Sequence, residues 1–172
     1  MKERLNALQV ALNNEMKERD FYLKNAERTK NPVGKAMFAQ IGGEELEHYE
    51  RLKQLHENWE KAKKWPDTVP LKVKDTLVKT LLKKAAKDFP AKTKGDADDL
   101  KAVQTAIAFE AKGAEYYAKL RDSVTDQKEK AFFNLLADIE HEHYVSLKDT
   151  EQYMIDPASW FREKEEGGLD GA

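Results

Sequence analysis

The run Glu45-Leu46-Glu47-His48 returns 95 residues later as Glu140-His141-Glu142-His143. Both contain Glu-x-x-His, and residues three apart in a helix share a face. Each run therefore offers one carboxylate and one imidazole to the same small volume. What that volume can hold depends on the residues around it.

Reading outward from the first run, Phe38, Ile41, Glu45, His48, Leu52, Leu55, Trp59 and Ala62 form one stripe in alternating steps of three and four. This predicts a helix from Pro32 to about Lys64, with Glu45 and His48 interrupting an apolar seam. Glu44, Glu47, Glu50 and His56 fall off the stripe and read as solvated. The preceding helix spans about residues 3–29, with an inward stripe of Leu5, Leu8, Leu12, Glu15, Arg19, Tyr22 and Ala26. Glu15 occupies a position where a leucine is expected. Asn31-Pro32 separates the two helices, because proline is tolerated in a first turn but not mid-helix.

Around the second run, a helix from about Asp126 to Met154 carries Phe133, Leu136, Glu140, His143 and Leu147 on its seam. The helix before it starts near Asp96 to Asp99, acidic residues that favour a helix N-terminus. Its stripe is Leu100, Val103, Ile107, Glu110, Ala114 and Tyr117. A crossover of about residues 65–95 joins the two halves, with a short amphipathic helix expected between Leu71 and Phe89 and a turn at Lys94-Gly95-Asp96. The expected organisation is a bundle over residues 1–153, then a short segment containing Trp160 and Phe161 and a flexible glycine-rich tail to residue 172.

A shift of 95 residues superimposes the halves. Glu15 meets Glu110, Glu45 meets Glu140, and His48 meets His143; Tyr22/Tyr117, Phe38/Phe133, Tyr49/Tyr144 and Leu52/Leu147 also match. Two helical hairpins related by a pseudo-two-fold axis follow. Six polar side chains on four apolar seams would then converge.

At 172 residues the chain suits one domain with a sizeable core. It contains no cysteine, which excludes disulfides, thiolate metal sites, iron–sulfur clusters and a cysteine nucleophile. Net charge is -2 with both signs interspersed, so no nucleic-acid footprint appears. No apolar run approaches the roughly 18 residues of a membrane span. The charged N-terminal sequence lacks a signal-peptide pattern. A soluble cytoplasmic protein is expected.

Four ionised carboxylates facing one another in a core would each cost several kcal/mol, unless protonated or neutralised. Two divalent cations cancel the four charges, and two neutral imidazoles complete the set. Such an oxygen-rich donor set suits iron or manganese better than a closed structural zinc site, and it leaves coordination positions open. It is the donor pattern of di-iron and di-manganese helical bundles. Tyr22 and Tyr117 lie two turns along the same faces as Glu15 and Glu110, placed either to hydrogen-bond these carboxylates or to fill the core. Arg19 reads either as a partner for a ligand carboxylate or as a side chain extended outward. His56 and His141 read as surface residues.

These residues resemble the rubrerythrin branch of the ferritin-like superfamily: Glu15 with Arg19 and Tyr22, the Glu45/His48 pair, Glu110, and the Glu140/His143 pair, over residues 1–153. The resemblance implies an all-α ferritin-like four-helix bundle with a long crossover between its second and third helices. It also implies a carboxylate-bridged pair of iron ions, with manganese or a mixed pair as variants. Family members reduce hydrogen peroxide or react with dioxygen, using electrons from a small redox protein. Two departures stand out. A cysteine-rich rubredoxin domain is impossible here, so electrons would come from a separate donor protein. The extra glutamate that the family carries three residues after its third-helix ligand is Gly113. Its repeat partner is Glu18, which is either a seventh carboxylate from the opposite side or part of a solvated face. The expected assembly is a homodimer. Two other roles compete: iron oxidation for storage, which needs a hollow multi-subunit cage, and a metal-free helical interaction module using Trp160 and Phe161.

Overall fold

The computed structural model describes residues 2–62, 76–88 and 95–169. It contains α1 (Lys2–Arg28), α2 (Pro32–Ala62), α3 (Val78–Asp88), α4 (Ala97–Ser123), α5 (Gln127–Ile155) and α6 (Pro157–Leu169). Among the described residues there is no strand. α1 packs chiefly on α2 and α4 on α5, giving two hairpins. The all-α four-helix bundle with a crossover helix is present as expected.

The hairpins repeat in detail. α1 and α4 begin and end 95 residues apart, and α2 and α5 begin 95 residues apart. Their caps repeat too. Asn31 Oδ1 accepts from the N–H groups of Val33 and Gly34, and Asp126 Oδ1 from those of Lys128 and Glu129. Each cap satisfies donors that a helix N-terminus leaves unpaired. Asp99, buried at the start of α4, ties the halves together by accepting from the N–H groups of Lys30 and Asn31.

Apolar packing falls into two clusters. One gathers Tyr22, Met37, Phe38, Ile41, Val103, Leu147 and their neighbours. The other gathers Leu8, Leu12, Leu52, Leu55, Phe133, Leu136 and theirs. On every bundle helix the interrupting Glu or Glu/His positions lie in sequence between members of the two clusters. α2 and α4 both run from the first cluster to the second, so they are parallel. The chain must therefore return along the bundle between them, which is the task of the crossover. Val78 and Leu82 of α3 are buried in the first cluster, and α3 packs on α2 and α5.

Several expectations are corrected. The crossover helix starts at Val78 and ends at Asp88, and Thr76 and Leu77 are not helical. The predicted stretch 71–75 and Phe89 lie outside the described residues. Glu44, Glu47 and His56 are half-buried where the stripe pattern assumes solvent. Glu50 and His141 are exposed as read. The C-terminal segment is helical through Leu169, taking in Gly167 and Gly168; residues 170–172 lie outside the described residues. Asp156 caps this helix by accepting from Ser159 N, and Pro157 occupies its first position, where no N–H is needed.

Trp160 anchors α6. It is 6% exposed, packs edge-on against Tyr153 at 5.6 Å, and donates from Nε1 to Asp149 Oδ1 at 2.9 Å. Trp160→Ala should cost about 3 kcal/mol of unfolding free energy in urea, at the low end for a buried tryptophan because a terminal helix can undock. A loss below about 1 kcal/mol would show that α6 lies outside the cooperative unit.

Candidate metal centre

The six interrupting residues meet in the layer between the apolar clusters. Glu15 comes from α1, Glu45 and His48 from α2, Glu110 from α4, and Glu140 and His143 from α5; none is more than 1% exposed. They form two groups that could each hold a metal ion: Glu15, Glu45, His48 and Glu140, and Glu45, Glu110, Glu140 and His143. Within each group the candidate donor atoms lie within 4.8 Å of one another. Glu45 and Glu140 belong to both groups, so each could serve either position.

The imidazoles face the site through Nδ1. His48 Nδ1 lies 3.1 Å from Glu45, 3.3 Å from Glu15 and 3.6 Å from Glu140. His143 Nδ1 lies 3.3 Å from both Glu45 and Glu110. The rings stack at 5.9 Å with 19° between planes. The tyrosines cross between the hairpins: Tyr22 O–H donates to Glu110 Oε1, and Tyr117 O–H to Glu15 Oε1. Of the two roles open to these tyrosines, the carboxylate-bonding one is present, and both rings also join the apolar clusters. Each fixes one oxygen of its carboxylate and leaves the other turned inward.

Those inward atoms are the test of fit. Glu15 Oε2, Glu45 Oε1, Glu110 Oε2, both oxygens of Glu140 and Nδ1 of His143 are buried without a hydrogen-bond partner. Buried polar atoms are almost always paired, and these six point into one volume from all four bundle helices. Two divalent cations would satisfy them, so the donor set fits a di-metal centre.

Protons do the balancing when metal is absent. Burial, then the charge of Glu45, pushes Glu15 up to about 8. Burial and the charges of Glu45 and Glu110 raise Glu140 well above its ordinary value. Glu45 moves the other way: burial opposes ionisation, but the charge of His48, its hydrogen bond to Glu45 and the nearby His143 imidazole hold it ionised. Burial would lower His48, yet Glu45 and Glu15 raise it to about 10, and Glu110 raises His143 likewise.

Sequence reasoning missed one residue. Glu44, read as solvated, accepts from His143 Nε2 at 2.7 Å, from Gln40 Nε2 at 2.7 Å and from Leu77 N at 3.0 Å. Burial opposes its ionisation, but the hydrogen bond and charge of His143 hold its carboxyl down to about 2. Its position one residue before a seam ligand was the available signal. Arg19 is half-buried and pairs through Nη1 with Asp20 at 3.2 Å.

Gly113 and Glu18 share the wall of a cavity between α1 and α4, with Lys17 and Lys112 also lining it. A Cβ at Gly113 would lie 2.9 Å from Glu140 Oε2, so the bare backbone there makes room for this carboxylate. Glu18 is half-buried, and burial followed by the charges of Glu45, Glu110 and Glu15 raises it to about 9.

These shifts set a pH dependence. Glu15, Glu18 and His48 bind protons in the folded chain at pH values where the unfolded chain has released them. Their stabilisation is complete below the unfolded values of 4.5 and 6.5, and is lost as pH rises through about 8 to 10. Glu44 acts only below 4.5, outside this window. The melting temperature of the metal-free protein should fall between pH 6 and pH 9, read by circular dichroism. Loading with metal should remove that fall, because metal takes the place of the protons. A metal-free melting temperature that rises over this range would contradict the assignment.

The rubrerythrin family model matches residues 6–151, whereas no curated protein and no solved structure matches the chain. Among the described residues no helix is long and apolar enough to cross a membrane. The family is a ferritin-like di-iron family, and the buried carboxylate and histidine groups fit a di-iron protein. Since the matched span covers most of α1 and α5 and all of the chain between them, every residue of the cluster falls within it, and the chain belongs to the rubrerythrin family.

Proposed function

We propose that the chain is a non-haem di-iron carboxylate oxidoreductase that reduces hydrogen peroxide or dioxygen with electrons from a separate donor protein. The observation that carries this reading is the set of six unpartnered donor atoms converging from four helices. Glu45 and Glu140 are proposed as bridging ligands, Glu15 with His48 and Glu110 with His143 as the ligands of single ions. Bound there, a pair of ferrous ions would supply two electrons, which with two protons would convert one hydrogen peroxide into two waters.

The protein's part is to position and to enclose. Three carboxylates and one imidazole per ion would leave coordination positions for a small oxidant. The Tyr22 and Tyr117 hydroxyls hold Glu110 and Glu15 so that each keeps an oxygen free for an ion. The two apolar clusters limit water on either side. The cavity beside Gly113 is the proposed access route, since it meets the layer where Glu140 lies against bare backbone. Glu18 lines that route and is proposed as the additional carboxylate, supplied from α1 in place of the one absent at Gly113.

Protein loaded anaerobically with ferrous iron should bind two ions per chain and, on titration with peroxide, develop a diferric absorption band that a reductant bleaches. Glu18→Ala should change the band or slow peroxide turnover several-fold. Iron-loaded protein inert to both peroxide and dioxygen would refute the redox reading. A large hollow assembly holding many irons per chain would favour storage instead.

A further inference from the structure

The proposed ligands repeat one for one, Glu15 with Glu110, Glu45 with Glu140 and His48 with His143, so on ligands alone the two positions would be equivalent. A break in the repeat removes that equivalence. We infer that the two metal positions are unequal by construction, the one at His143 being the tighter and the first to fill, with Glu44 as its positioning residue. The inference rests on the di-metal reading above.

That break is Glu44, whose repeat partner is Ile139. Glu44 Oε2 takes the hydrogen of His143 Nε2, while its Oε1 is held by Gln40 and by the backbone N–H of Leu77 just before α3. Three elements thus fix this carboxylate before any metal arrives. An imidazole that gives its Nε2–H to a fixed carboxylate keeps the Nδ1 lone pair for metal, in one orientation and with greater basicity. Ile139 is buried and apolar and offers His48 nothing comparable. Among the described residues, the carboxylate contacts of His48 all run through Nδ1.

Glu44 therefore adds a fixed carboxylate on the His143 side alone, and a divalent cation gains from it there.

Titration of metal-free protein with cobalt(II), followed by visible absorption and calorimetry, tests the inference. Wild-type protein should bind two ions in steps at least about tenfold apart. His143→Ala should lose the tight step and His48→Ala the weak one. Glu44→Ile, which copies the partner position, should weaken the tight step by about 10–100-fold and leave the weak step nearly unchanged. Glu44→Gln keeps an oxygen that can accept the Nε2 hydrogen, and should recover most of the loss. Helix content by circular dichroism separates these effects from unfolding. If Glu44→Ile does not fold, the Glu44→Gln and histidine variants still decide. Two equal steps in the wild type, or a tight step that survives His143→Ala, would overturn the inference. So would a folded Glu44→Ile variant that affects both steps alike or neither. Absence of any cobalt binding would overturn the di-metal reading itself, a different outcome from two equal steps.

Discussion

Four carboxylates and two imidazoles buried in one layer of a helical bundle constrain everything else in the molecule. Their charges cannot be solvated by water and cannot be left unbalanced. Without metal the layer settles by unequal protonation: Glu45 stays ionised between two imidazoles, while Glu15 and Glu140 are driven toward their neutral forms. The arrangement is consistent but incomplete, since six donor atoms remain without partners. The fold holds these groups together against their mutual repulsion because the apolar clusters above and below supply the stabilising burial.

The crossing tyrosines show how the halves cooperate. Each hydroxyl reaches from one hairpin to a carboxylate of the other, so neither hairpin can orient its own α1 or α4 glutamate alone. Asp99 does the same for the backbone, closing the α1–α2 turn from α4. The site is therefore a property of the interface between hairpins. Disturbing their packing would disturb donor geometry before it removed any donor.

Much of this was legible in the sequence, because helical seams are periodic and a polar residue on a seam stands out. Glu15, Glu45, His48, Glu110, Glu140 and His143 all broke apolar stripes, and the 95-residue register joined them. Glu44 was not legible in this way. It sits one position off the seam, about 100° around the helix, and its partner His143 lies on another hairpin, so only tertiary packing brings them together. His56, read as a surface residue, is half-buried: periodicity assigns a face, but not how far its edge is covered. At the C-terminus, Gly167 and Gly168 suggested an irregular tail. The stronger local signal was Asp156-Pro157, a cap followed by a first-turn proline, with Trp160 placed to dock the helix.

The near-exact register of caps, helix starts and site residues bears on what a two-hairpin protein can become. A centre assembled from two copies of one hairpin chain must carry the same residue at both equivalent places. A glutamate beside one histidine would bring a glutamate beside the other, and a glycine in one wall a glycine in both. Once both hairpins are encoded in one chain, each place can change alone. Glu44 against Ile139 and Glu18 against Gly113 are differences open only to such a fused chain. Covalent linkage through the crossover thus does more than hold the bundle together: it frees the two sides to specialise.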